Sequence, residues 1–257
     1  MNEINTWNLE EKMNKAIALW VHPRSLSTAM ERIFMERGDF EILHEPFSYL
    51  YYFHEKRAPI PYGHEDPNHP HSYPDIKKYI LSNAEKAPVY FKDMCFHCYD
   101  HLIKDDEFLK KITSTFLIRD PEKTILSHYK INPDVTSEEI GFELELNIFE
   151  KVKELTGKTP ALIDADDLED NPERVVKAYC EAVGIKYLPE SLHWDSGHKK
   201  EWDSWKEWHT DAAQSTGIQK NMEKFAITLD DKPHLREYYK HHKPFYDRMY
   251  AERIGGK

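Results

Sequence analysis

Apolar residues fall along the chain in short runs that alternate with helical patterns. Ala16-Ile17-Ala18-Leu19-Trp20-Val21 is a continuous apolar run and reads as a buried strand. It breaks at His22-Pro23, and from Ser25 the residues Leu26, Met30, Ile33 and Phe34 share one helical face up to Gly38. Phe40 to His44 predicts a second strand, stopped by Glu45-Pro46. The stretch from Phe47 to Tyr73 is rich in Pro, His and Tyr with little periodicity, and reads as a long functional loop with some helical turn. Pro74 to Lys86 predicts a helix opened by proline. Pro88 to Phe91 is a third strand, and the β-branched run Ile112 to Ile118 a fourth. A helix follows from Pro121. Thr136 to Leu155 predicts one long helix, with Thr136 and Glu139 placed for a capping box. Pro160 to Asp164 is a fifth strand, and Pro172 to Val183 a helix that Gly184 closes. The tail is helical or irregular and heavy in Trp.

Strands that alternate with helices imply an α/β fold: a doubly wound, mainly parallel five-stranded sheet flanked by helices, read as a single domain over 1–257. Residues 47–73 are expected to form a long loop on the side of a ligand and 190–257 a helical or irregular cap. Ligands of such sheets bind beyond the carboxyl ends of the strands. Four ends therefore matter: His22-Pro23-Arg24, His44-Glu45-Pro46, Lys92-Asp93 and Arg119-Asp120.

Composition narrows the function. Aromatic residues make up 13%, with 15 Tyr and 12 Phe, which excludes wholesale disorder. The net charge of −11 argues against a nucleic-acid partner, so an anionic ligand needs a local cluster of positive groups. The polar N-terminal stretch Met1 to Lys15 lacks the apolar segment of a secretory leader. No apolar run approaches the roughly 20 residues that span a bilayer. Three cysteines and no glycosylation sequon point to a reducing, cytoplasmic setting.

The first strand runs straight into Pro23-Arg24-Ser25-Leu26-Ser27-Thr28 and a helix N-terminus, a natural anion site. Arg24 adds a fixed positive fork; Ser27 and Thr28 add hydroxyl donors. GxxxxGK[ST] is missing, which disfavours an ordinary nucleotide-hydrolysing P-loop. The fourth strand ends in Phe116-Leu117-Ile118-Arg119-Asp120-Pro121, with Ser127-His128-Tyr129 two turns later. Arg119 and Ser127 can reach one phosphate together.

These segments resemble the PAPS-dependent sulfotransferase superfamily, whose donor is 3′-phosphoadenosine-5′-phosphosulfate (PAPS). The resemblance runs from about Ala16 to Gly217. It implies a P-loop-type sheet, a first loop (His22 to Ala29) around the 5′-phosphosulfate, and Arg119 with Ser127 on the 3′-phosphate. Asp166-Asp167-Leu168 matches an acidic pair that the family often carries after its fifth strand. Ser215-Thr216-Gly217 looks like the late loop closing over the 3′-phosphate. The chain departs from the family's small-molecule members in two places. Arg24 stands where they usually have Lys, and Lys92-Asp93-Met94 replaces Lys-x-His, so the usual base is missing from its place. The resemblance points to a divergent, bacterial-type branch.

Sulfuryl transfer of this kind needs donors at the leaving phosphate, a placed acceptor, a base and no metal. Arg24 and Lys92 are the candidate donors. Glu45 is the first candidate base, with His97 and His44 as rivals. Two alternatives stay open: a kinase-like phosphotransferase, and a non-catalytic nucleotide-binding module of the same fold. Cys95, His97, Cys98 and His101 lie too close together for an ordinary structural zinc site. The small-molecule acceptor, an alcohol or amine such as a natural product or alkaloid, is expected against His44, Phe47, Tyr51, Tyr52 and Met94. Tyr49, Phe53, Trp194, Trp202, Trp205 and Trp208 are further candidates for lining the cleft. Glu65 and Asp66 would make its mouth acidic, which hints at a neutral or cationic acceptor. A membrane partner is not expected.

Overall fold

The computed structural model describes residues 16–59, 63–220 and 225–255. Met1 to Lys15, parts of the 47–73 loop and of the 190–257 cap, and the final two residues lie outside the described residues.

The elements run β1 (Ala16–Val21), α1 (Ser27–Arg37), β2 (Glu41–His44), a π-helical turn (Leu50–His54), α2 (Tyr73–Ala84), β3 (Val89–Met94), α3 (Cys95–Leu102), α4 (Asp106–Lys111), β4 (Thr113–Ile118), α5 (Pro121–Ile131), α6 (Ser137–Ile140), α7 (Phe142–Thr156), β5 (Leu162–Asp164), α8 (Ala165–Asp170) and α9 (Pro172–Val183). The cap follows, with 3₁₀ turns at Pro189–Leu192, Lys200–His209 and Leu229–Asp231, α10 (Thr210–Gln214) and α11 (Pro233–Tyr250).

The five strands pair in the order β2-β3-β1-β4-β5, all parallel. Side-chain alternation splits the core between the two faces. Ala16, Ala18 and Trp20 join Phe91, Phe116 and Leu162 on one face, under α2, α7 and α11. Ile17, Leu19 and Val21 join Tyr90, Leu117 and Ile163 on the other, under α1 and α9. Burial on both faces explains why β1 and β4 read as unbroken apolar runs.

Three elements differ from the sequence reading. β3 continues past Phe91 to Met94, because Lys92 and Asp93 are buried polar strand residues with partners. The long helix expected over Thr136 to Leu155 is two, α6 and α7. Gly141 takes φ 80° between them, a left-handed conformation that interrupts a helix. The Thr136–Glu139 capping box forms as the spacing predicts. β2 is separated from β1 by β3, so Glu45 reaches the site across Lys92 and not beside the first loop.

Candidate active site

The carboxyl ends of β1, β3 and β4 open into a cleft of about 580 Å³, a volume usual for small ligands. Its floor is the first loop. Arg24 (φ 63°) and Leu26 (φ 73°) are both left-handed although neither is glycine. Such conformations cost energy, persist where the surroundings enforce them, and curl the backbone into an anion-binding concavity. No side chain caps the start of α1, so N–H groups of its first turn remain for a ligand. Pro23, Arg24, Ser25, Leu26, Ser27 and Thr28 all line the cleft.

Arg119 and Ser127 both meet Arg24, Ser127 at its side chain and Arg119 at its carbonyl. Arg24 Nε donates to Ser127 Oγ over 2.9 Å. Arg119 Nη1 donates to the Arg24 carbonyl over 3.0 Å. Buried Arg119 Nε has no partner among the described residues. Beneath them His22 joins the two segments. Its Nε2 accepts from Arg119 N–H at 3.1 Å, so Nδ1 carries the proton and donates to the Pro23 carbonyl at 3.0 Å. Burial pushes the His22 imidazole down to about 3, so it stays neutral. His128 is likewise pushed down to about 3, by burial and then by Arg24.

The late loop is held from behind. Trp194 Nε1 donates to Ser215 Oγ at 3.1 Å, and that hydroxyl donates to the Ala212 carbonyl at 2.7 Å. Ser215 and Gly217 line the cleft; Thr216 does not, and its carbonyl accepts from Trp194 N–H at 3.2 Å. The Asp166–Asp167 pair also has a structural occupation, with Asp166 on Lys123 and Asp167 on Arg253.

At the end of β3, Lys92 and Asp93 point to opposite faces. Lys92 Nζ donates to Glu45 Oε1 over 2.5 Å. Burial alone would raise the Glu45 carboxyl, but the Lys92 ammonium and then His44 override it and hold it well below the usual carboxylate range. Glu45 also sits at φ 43°. Behind the pair, His44 Nδ1 lies 2.8 Å from Glu31 Oε2, His44 Nε2 lies 2.9 Å from His209 Nε2, and His209 Nδ1 lies 3.3 Å from Thr28 Oγ1. Trp202 Nε1 donates to the same Glu31 at 2.8 Å.

Asp93 faces α3. Its Oδ1 lies 2.7 Å from His97 Nδ1, and its Oδ2 accepts from Phe47 N–H at 2.6 Å. Burial pushes the Asp93 carboxyl up, and the His97 hydrogen bond opposes that. His97 Nδ1–H therefore points at Asp93, leaving Nε2 as the acceptor of a cleft-lining imidazole.

The acceptor side is smaller than expected. Tyr52 and Met94 line the cleft, joined by Phe96, His97, Trp205 and Trp208. Phe47 is fully buried between Trp20 and Tyr73, and so belongs to the core. Tyr51 packs behind, on Phe96 and His97, and His44 sits behind Glu45 on Glu31 and His209. Tyr49 stacks on His69 at 3.8 Å, away from the cleft. Trp194 and Trp202 are buried supports. Glu65 and Asp66 do not line the mouth; Glu139, Glu169 and Asp211 are the acids that do, beside Glu45. His209 escapes the sequence reading, which has Asp93 only as part of a strand end and Glu139 only as a helix cap. Of these, only Asp93 carries a local signal, a carboxylate four residues before His97.

Among the described residues two clusters invite a metal, and the groups of each are engaged otherwise. Ligand atoms of His44, Glu45 and His209 lie within 4.8 Å of one another, but the Lys92 ammonium already occupies Glu45. Cys95 and Cys98 are buried thiols pushed well above their ordinary pKa by desolvation, and His101 turns to Glu55 at 2.7 Å. Among the described residues no helix is long and apolar enough to cross a membrane.

Comparison with known proteins agrees with the five-stranded α/β fold. The sulfotransferase domain of the Synechococcus PCC 7002 olefin synthase superposes with a TM-score of 0.50 at 13% identity, over 90% of this chain and 94% of that one. A sulfotransferase domain from the curacin biosynthetic pathway gives 0.50 at 12% identity, over 92% and 98%. At such identities the likeness is one of fold. In sequence, the chain is 28% identical over 210 residues to the branched-chain-amino-acid aminotransferase-like protein 2 of Arabidopsis thaliana, covering 79% of this chain and 36% of that protein. The chain thus spans about a third of that relative's length. The family model described as "Sulfotransferase domain" matches residues 15–252, and the chain belongs to that family.

Proposed function

We propose that this protein moves a sulfonate group from PAPS to a hydroxyl or amine of a small-molecule acceptor. The observation that carries the reading is the Arg24–Ser127–Arg119 cluster at the first loop. Two fixed guanidinium groups, one with an unpartnered buried Nε, give an overall acidic chain a local site for a doubly phosphorylated nucleotide. On this reading the first loop takes the 5′-phosphosulfate, and Arg119, Ser127 and the Ser215–Gly217 loop take the 3′-phosphate.

The acceptor attacks sulfur, the bond from sulfur to the phosphate oxygen breaks, and the acceptor's proton leaves to a base. Lys92 and Arg24 stabilise the charge that grows on the leaving phosphate. His97 suits the base better than Glu45. Its Nδ1–H is anchored on Asp93, which leaves Nε2 to take the proton. Glu45 is bound to Lys92, which lowers its basicity, and its part is to hold that ammonium in place. The residues described act as one unit around one sheet, with neither a nucleic acid nor a membrane as partner.

Thermal stabilisation tests the donor site, because a ligand raises apparent stability by RT ln(1+[L]/Kd). 3′,5′-Adenosine bisphosphate is expected to stabilise the protein clearly more than AMP, without added metal. Stronger stabilisation by ATP with magnesium would instead support a phosphotransferase.

A further inference from the structure

The acceptor end of the cleft has its own chemical character, and the inference drawn from it rests on the donor placement proposed above. Its walls are rings. Tyr52 packs on Trp205 at 5.4 Å and on His97 at 5.5 Å, and Phe96 packs on His97 at 4.5 Å. Trp205 is buried, and its indole N–H has no acceptor among the described residues.

Besides Asp93, bound to His97, and Glu45, bound to Lys92, Glu139 lines the same cleft as Tyr52, His97 and Trp205. Its Oε2 accepts from Thr136 N–H at 2.8 Å and from Thr136 Oγ1 at 2.9 Å, which fixes the carboxylate. Both of these bonds use Oε2, and neither joins the carboxylate to a cation. The cations nearby, Lys130 among them, are already engaged. Arg57 lies on Asp100 at 2.9 Å and on Glu138 at 3.4 Å, and Lys220 lies on Asp170 at 2.6 Å. Lys92 is held by Glu45. Burial and then the Glu139 carboxylate raise the Tyr52 phenol, so the field of Glu139 reaches the ring that touches His97. A carboxylate without a cation among aromatic faces favours a cation that can meet both. The anionic donor expected at the far end adds to that preference.

We propose that the acceptor is a hydroxylated aromatic amine, bound with its ammonium at Glu139 and the ring faces of Tyr52 and Trp205 and its hydroxyl toward His97. The acceptor class is then set by charge: a cationic arylalkylamine is preferred over its neutral analogue, and an anionic one is rejected.

Calorimetric titration separates this from the donor assignment. Tyramine, tyrosol and 4-hydroxyphenylacetate share a phenol and differ in the charge at the far end. They are titrated into the protein with and without 3′,5′-adenosine bisphosphate. Tyramine is expected to bind about tenfold more tightly than tyrosol, with 4-hydroxyphenylacetate weakest. Glu139→Gln, which keeps the capping geometry, should bring tyramine to within about twofold of tyrosol. Equal binding of tyramine and tyrosol, or a preference that survives Glu139→Gln, overturns the acceptor class. Failure of the bisphosphate to bind overturns the donor site instead, and the tyramine-to-tyrosol ratio without nucleotide still judges the acceptor.

Discussion

Arg119 Nη1 donates to the main-chain oxygen of Arg24, so the end of β4 is tied directly to the loop that follows β1. One guanidinium thus shapes the first loop and leaves its own buried Nε for an anion. Arg119→Ala should remove most of the preference for 3′,5′-adenosine bisphosphate over AMP. Losing one partner of a desolvated charge pair costs roughly 2–5 kcal/mol, or about 1.5–3.5 decades in affinity. Thermal shifts with the two nucleotides measure it. A preference that stays intact in the variant would refute the donor-site assignment.

The assignment of the base is tested by pairing variants. His97→Asn should lower turnover by about 100-fold or more while sparing 3′,5′-adenosine bisphosphate binding. Asp93→Asn, which loses the anchor on Nδ1, should lower turnover less. Glu45→Gln should also lower turnover, because Lys92 loses its anchor, but less than His97→Asn does. Near-normal turnover in His97→Asn beside a large loss in Glu45→Gln would return the role to Glu45.

Much of this site is legible in the sequence, and the rest is hidden for identifiable reasons. β1 and β4 are plain because strands buried on both faces are apolar throughout. Arg119 and Ser127 both reach Arg24 because α5 starts at Pro121 with Asp120 as its cap. The first loop is visible as a strand-to-helix turn, but its left-handed Arg24 and Leu26 are not, since glycine is the usual mark of that conformation. The end of β3 is obscured because Lys92 and Asp93 look solvated in sequence and are in fact buried with partners. Phe47 and Tyr51 look like cleft residues next to Glu45, yet they fill the core, and no pattern separates the two uses. His209 meets Thr28 across 181 positions, a closure that only the folded cap brings about.

Glu145 carries a stability prediction of its own. It lies in α7, fully buried, and neither carboxyl oxygen has a partner among the described residues. Burial pushes its pKa well above the ordinary value. The native state therefore keeps a proton that the unfolded chain has lost, and the penalty grows as pH rises beyond the usual carboxylate range. Glu145→Gln removes that ionisation and Glu145→Met also removes the unpaired polarity. Glu145→Met should raise stability at pH 7 by roughly 1–3 kcal/mol, with a smaller gain at pH 5. Urea unfolding at the two pH values reads it, and a gain independent of pH would show that the carboxyl is not protonated in the fold.

Acid should loosen the same region from beneath. His22 and His128 are both held neutral to about 3 by burial, whereas an unfolded histidine titrates near ~6.5. Both pKa values are lowered on folding, so the unfolded state binds more protons anywhere between them. The stability these groups contribute is fully present above the unfolded value and is lost as pH falls toward the folded one, at up to about 1.4 kcal/mol per pH unit for each. Glu45, whose carboxyl is lowered, adds its own loss only below the usual carboxylate range. His22→Asn isolates one contribution, because an amide can still accept from Arg119 N–H and donate to the Pro23 carbonyl. The variant should be less stable than the parent at pH 7, and the gap should narrow steadily between pH 6 and pH 4.5. Proton uptake on unfolding at pH 5 should fall by close to one. A gap that keeps its size across that range would mean that His22 takes up its proton within the folded protein, and that the contact joining the first loop to Arg119 tolerates a charge.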